Sequence, residues 1–211
     1  MRSKKTARRR PPSFELSAGV LCLDFVNTLD DRPSGEPKEL LEQYADLARF
    51  GEDTGILEPV EADRLLALSQ TAPGQSQRAL RAAIRLREAM YAVFWAVMNK
   101  KPVPSAAIIT LNEFVQLAAQ HSHLVETRGH FEWRFDPAPD DLESPLWPIA
   151  RSAAELLASD RLAFVRACSS KTCQWLFLDT SKNHRRRWCD MKVCGNRAKF
   201  QRFYNRQKKG A

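Results

Sequence analysis

Apolar residues recur every three or four positions through most of the first 160 residues, and that spacing predicts a mainly helical body. The clearest pattern runs from Ser76 to Asn99. There Leu80, Ala83, Ile84, Tyr91, Phe94, Trp95 and Met98 share one side, with Arg78, Arg81, Arg85 and Glu88 away from it. Pro102 and Pro104 end that helix. Shorter helices are predicted over 38–50, with Gly51 as the stop, and from Pro59 through Leu68, where Ala72-Pro73-Gly74 breaks the pattern. Another runs from Ser105 to Ala119, with Ile108, Leu111, Phe114, Val115 and Ala118 on one side. A last body helix, Pro148 to Ala158, carries Ile149, Ala153, Leu156 and Leu157. The stretch Leu16 to Asp30 is apolar on nearly all sides, so its period fits both a helix and a buried strand. A buried helix is expected, broken at Asp30-Asp31-Arg32-Pro33-Ser34-Gly35.

From His123 to Phe135 the period changes to two, which predicts a β-hairpin turning at Arg128-Gly129. A loop follows at 136–141, and the run Leu162 to Cys168 reads as a strand. The fold class is therefore α+β: a mainly helical N-terminal domain with a β-hairpin, residues 13–160, followed by a small module, residues 161–211. Residues 1–12 are basic, proline-terminated and without apolar period, and are expected to be a disordered arm.

Charge sharpens this division. Residues 1–12 hold six Lys/Arg and no acid, and residues 182–209 hold eleven with one acid, Asp190. Those segments carry +16 of a net charge of +8, which leaves −8 for the body. The ends suit a polyanion and the body does not. No run approaches the length of a membrane span, and the basic start leads into prolines rather than an apolar stretch, so a cytoplasmic protein is expected.

Four of the five cysteines carry the sharpest signal. Cys168 and Cys173 form C-x4-C, and after fifteen intervening residues Cys189 and Cys194 form another. In a reducing compartment two thiolate pairs at this spacing wrap one tetrahedral structural Zn²⁺. Cys22 lies in an apolar run and reads as a buried thiol. Between the pairs, Trp175 to Leu178 is expected to form one strand, 179–183 a turn and Arg185 to Trp188 the return strand. After Cys194 a helix begins at Asn196. Knuckle, hairpin and ligand pair at a helix start is a treble-clef order. On that helix Phe200, Phe203 and Tyr204 are expected to face the hairpin, with Lys199, Arg202, Arg206 and Lys209 opposite and Arg197 and Lys208 at the flank. With Arg185, Arg186 and Arg187 these cations form the expected nucleic-acid surface, and Asn196, Gln201 and Asn205 are candidate base readers.

The segment from Trp175 to Tyr204 resembles the CGNR zinc finger, named for the residues here at Cys194-Gly195-Asn196-Arg197. The run Gly19 to Asp30 resembles the opening of the ABATE domain that precedes this finger in bacterial proteins. The resemblance implies Cys168, Cys173, Cys189 and Cys194 as zinc ligands. It also implies a stress-induced transcriptional regulator that binds DNA.

Such a body should sense something or dimerise. Asp24, Asn27, Thr28 and Arg32 are polar residues in or beside an apolar run, and a pocket for a small-molecule effector is one reading of them. A hydrogen-bonded core with helix capping is the plainer reading and is favoured. Trp95, Trp133 and Trp147 stand between the same alternatives, pocket or core. A homodimer suits a regulator, although no heptad pattern supports one. An RNA- or protein-binding adaptor is the alternative class. A treble-clef nuclease is disfavoured, because four thiolates close the zinc and His184 is the module's only histidine.

Overall fold

The computed structural model of the chain describes residues 14–136, 138, 140–200 and 204. The expected basic arm, residues 1–12, lies outside them, as do Gln201, Arg202, Phe203, Asn205, Arg206, Lys208 and Lys209.

The body is helical, as its period requires. Its elements are α1 (Leu21–Val26), α2 (Tyr44–Thr54), α3 (Pro59–Thr71), α4 (Pro73–Met98), α5 (Ser105–Gln120) and α6 (Leu146–Leu157). Two antiparallel hairpins interrupt them. One pairs β1 (Leu29–Asp30) with β2 (Lys38–Glu39), and the other pairs β3 (Ser122–Thr127) with β4 (His130–Phe135). The second is the expected hairpin, with Thr127 opposite His130 around the Arg128-Gly129 turn. A short 3₁₀ segment (Asp160–Phe164) leads to β5 (Val165–Ala167), which pairs with β6 (Leu176–Leu178). No helix among the described residues is long and apolar enough to cross a membrane.

Three expectations change for physical reasons. The helix expected over 38–50 starts only at Tyr44, because residues 38–39 pair into β2. Gly51 lies inside α2, and the helix ends instead at Gly55, which takes the left-handed conformation at φ 73°. Gly51 is needed for a contact: a Cβ there would stand 2.6 Å from Leu57 Cδ1, so glycine lets Leu57 fold back against the helix. On α4 the packed face is displaced toward Ala79, Ala82, Ala83, Leu86, Ala89, Met90 and Val93. Leu80, Ile84, Tyr91, Trp95 and Met98 are only half-buried. The alanines let neighbouring helices approach closely, and the displaced face carries Arg87 inward.

Arg87 is among the largest fully buried side chains. Its Nη1 and Nη2 donate to the two Glu39 carboxylate oxygens at 2.6 and 2.7 Å, and its Nε donates to Glu88 at 2.8 Å. The β1–β2 hairpin, which the apolar pattern did not predict, places Glu39 at this cation. Such a pair is tolerated inside because its charges and donors are satisfied.

One continuous core of buried side chains runs from Ala18 and α1 through to Cys194. Leu176, Phe177 and Leu178 of β6 belong to it and pack beside α1. The C-terminal module is thus seated on the body rather than tethered to it.

Candidate metal centre and its basic surface

The first cysteine pair sits in the connection between β5 and β6. The strands pair Val165 with Leu178 and Ala167 with Leu176, and Cys168 N donates to Trp175 O at 2.8 Å to continue the ladder. The connection turns back through Gln174, whose φ is 55°. Trp175 N then donates to Cys173 Sγ at 3.5 Å. This hairpin differs from the one expected. The partner of β6 lies before Cys168, and residues 185–188 form no strand. A loop organised by Asp179 takes their place. The buried Asp179 carboxylate accepts from Ser181 Oγ at 2.6 Å and from Arg186 N at 2.8 Å. Ser169 N donates to Arg187 O at 2.8 Å, which draws the second cysteine segment against the first.

Of the second pair, Cys189 precedes a single π turn, Met191–Gly195, and Cys194 lies within it; the turn leads into helical residues 196–200. Asp190 caps that turn, its Oδ1 accepting from the backbone N–H groups of Lys192 and Val193. A Cβ at Gly195 would stand 2.5 Å from Sδ of Met191, a flexible and exposed side chain. The positive end of the helix favours thiolate at Cys194.

The four sulfurs all lie within 4.8 Å of one another, and all four cysteines are buried. Cys173 Sγ is 3.6 Å from Cys189 Sγ, which is 3.7 Å from Cys194 Sγ. A tetrahedral zinc with Zn–S bonds near 2.3 Å requires sulfurs about 3.8 Å apart. The donor set and its spacing therefore fit one structural Zn²⁺. Without a cation the thiols are in conflict. Hydrogen bonding from Cys173 holds Cys168 far below the usual thiol range, hydrogen bonding with Cys168 pushes Cys173 and Cys189 up, and burial pushes Cys194 up. A bound divalent cation stabilises all four thiolates together.

The family model described as "Putative stress-induced transcription regulator" matches residues 19–160. The chain belongs to the ABATE family. The model of the CGNR zinc finger matches residues 165–207 of this ABATE protein. No curated protein matches the chain.

The expected nucleic-acid contacts divide in the structure. Arg185, Arg187, Asn196, Arg197 and Lys199 are exposed on the CGNR finger. Arg197 Nη1 donates to Thr172 Oγ1 at 3.2 Å, and Asn196 Nδ2 donates to Lys192 O at 2.9 Å. Arg186 is different. Its guanidinium lies 4.6 Å from the Phe177 ring centre, donates to Trp188 O at 2.8 Å and to Ser17 O at 3.2 Å, and also bonds Cys189 O. Arg186 is thus a brace between finger and body. Arg202, Arg206 and Lys209 lie outside the described residues. Phe200 and Tyr204, expected to be covered, are 71% and 51% exposed. His184 stacks on Phe164 at 3.9 Å, with Nδ1 2.9 Å from Asp179 O.

The residues for which a pocket was one reading and a hydrogen-bonded core the favoured one have these partners in the structure. Asn27 Nδ2 donates to Leu176 O and its Oδ1 accepts from Leu176 N, both at 2.9 Å. Thr28 Oγ1 donates to Phe25 O at 2.8 Å, and Arg32 bonds both Glu88 oxygens. Trp147 is buried against His121, Trp133 is exposed beneath Arg151, and Trp95 stacks on Tyr91. Trp133 and Trp147 do share the wall of one cavity, of about 470 Å³. Sequence reasoning gave Arg186 only a nucleic-acid contact and gave Asp190 and Asp179 no capping or loop-organising role. An Asp just before a helix start is a readable cap signal, whereas a loop-organising carboxylate and a buried brace show only in three dimensions.

Asp24 yields a pH prediction. Its Oδ1 accepts from Ala18 N at 2.9 Å, yet burial pushes its carboxyl up from 3.8 to about 6. Stability at this site is therefore fully present below pH 3.8 and is lost as pH rises through about 6. Asp24→Asn keeps the acceptor and removes the ionisation. Its stability relative to the parent is expected to rise between pH 5 and 7.5 by on the order of 1–2 kcal/mol. Urea midpoints at the two pH values check this, and an unchanged difference rejects it.

Proposed function

We propose that this ABATE protein is a cytoplasmic, DNA-binding transcriptional regulator that acts in a stress response and catalyses no reaction. The observation that carries the reading is the exposed cationic set Arg185, Arg187, Arg197 and Lys199 on the zinc-held finger. The nearby acid, Asp190, is engaged by backbone N–H groups of its own turn. Such a surface suits a phosphate backbone. The description of the matched family supports regulation. Four reduced thiolates suit a reducing compartment, and four-thiolate zinc leaves no open position for chemistry.

Selection of a random duplex-DNA library against the zinc-loaded protein, at roughly physiological salt, is the test. An enriched motif is expected, and a palindromic one would indicate a homodimer on DNA. The double variant Arg185→Ala/Arg187→Ala is expected to weaken binding tenfold or more and to reduce the salt slope by about 2. Absence of enrichment, or an unchanged slope, counts against the reading.

A second reading draws on the exposed rings of Phe200 and Tyr204. Aromatic faces beside cations favour single-stranded RNA by stacking. Competition between duplex DNA and single-stranded RNA separates the two.

A further inference from the structure

A cavity of about 430 Å³ opens between the β1–β2 hairpin of the ABATE region and the cysteine turns of the finger. Asp31, Lys38 and Arg49 line it from the body, and Cys173, Trp175 and Arg197 from the finger. Cys173, Cys189 and Cys194 of the zinc site line its finger side, so the ion would lie at that side of the cavity. An ion about 2.3 Å from each sulfur sits wholly among four thiolates that lie within 4.8 Å of one another. The cavity's volume is in the range of small-molecule sites.

Residues of this wall carry buried polar atoms without partners. Five buried side-chain atoms among the described residues have no hydrogen-bond partner. Three belong to residues of this one cavity: Asp31 Oδ1, Arg49 Nε and Trp175 Nε1. None belongs to the residues around the cavity that Trp133 and Trp147 share. A buried polar group left unpaired costs about 1–3 kcal/mol, so three around one cavity mark a place where a ligand supplies partners. Trp175 is 8% exposed, and its indole can only donate. Arg49 already bonds Asp46 and lies over the Phe14 ring, yet its Nε–H remains without an acceptor. Asp31 is held at φ 53°, with its N–H on Asp30 Oδ1, and its own Oδ1 lacks a donor.

We infer that this cavity binds a small zwitterionic amino-carboxylate, of amino-acid to dipeptide size. Two donors, with Lys38 and Arg197 beside them, call for an anionic acceptor. Asp31 calls for a donor, and Glu15 and Asp30 on the same wall favour a cationic one. The ligand touches the body and the zinc-held turns at once, so its binding couples to the placement of the basic surface. That coupling rests on the DNA reading above, whereas the binding does not.

Calorimetric titration of the zinc-loaded full chain with each of the common amino acids tests the binding, with acetate and ethylamine as single-charge controls. At least one amino acid is expected to bind with Kd on the order of 1 mM or tighter, and neither control should. Trp175→Phe keeps the ring and removes the N–H. Asp31→Asn places a residue that tolerates the left-handed backbone. Each is expected to weaken binding tenfold or more at unchanged zinc content. Arg49→Gln, on the body side, serves as the second donor variant if Trp175→Phe loses zinc. Binding by no amino acid, equal binding of acetate, or binding indifferent to these variants overturns the site. Because no DNA is present, this result is independent of the library selection. Adding the bound amino acid to a DNA titration should change affinity threefold or more, and an unchanged affinity overturns the regulatory half.

Discussion

Chelation of the zinc is expected to unfold the CGNR finger and to lower the stability of the chain by on the order of 5 kcal/mol or more. Two short strands and one π turn cannot hold this geometry alone, and without a cation Cys173, Cys189 and Cys194 are pushed toward the neutral thiol, Cys173 and Cys189 by hydrogen bonding with Cys168 and Cys194 by burial. Structural zinc contributes roughly 10–16 kcal/mol in small finger peptides. The loss here should be smaller than that, because β6 stays packed beside α1 by its own apolar side chains. Elemental analysis should return one zinc per chain, and calorimetry should show a lower Tm in chelator. Cys189→Ser should behave like the chelated protein. Cys22→Ser, in buried α1, should keep its zinc. A zinc ratio other than one, or a Tm unmoved by chelation, would falsify the centre described above.

Asn27→Ala is expected to cost about 3 kcal/mol, the other large loss. One buried amide gives Leu176 both of its backbone bonds, as a neighbouring strand would. Alanine leaves the Leu176 N–H and C=O buried and unpaired, at about 1–3 kcal/mol each. The urea midpoint should fall with little change in slope. Zinc content should hold, since the ligands are not touched. A loss below about 1 kcal/mol would mean that water or a shifted backbone replaces the amide. Asn27 would then not be the joint between body and finger.

Asn27 also shows where sequence reasoning stops. A polar residue within an apolar run announces that it needs partners, but the run does not contain them. Leu176 lies 149 residues away, and no local pattern connects the two. Arg87 makes the same point on α4. A cation within an amphipathic helix is normally assigned to the solvated side, and only the unpredicted β1–β2 pairing delivers Glu39 to hold it inside. Gly51 looked like a helix stop because glycine often is one, whereas its role is steric and depends on Leu57. Arg186 counted as one of three equal cations until its neighbours fixed it as a brace.

What could be read in one dimension was whatever depends on local spacing. The helical period of the body, the two-residue alternation of the β3–β4 hairpin and the two C-x4-C pairs are local properties. Local geometry propagates them directly: a helix repeats every 3.6 residues, a strand every two, and a tight turn brings a thiolate pair together. The tertiary structure alone decided which face of α4 packs, which strand pairs with β6, which arginines remain exposed and where unpaired polar atoms gather around a cavity. Those outcomes depend on contacts between residues far apart in the chain, and the energy of such a contact is set by both partners.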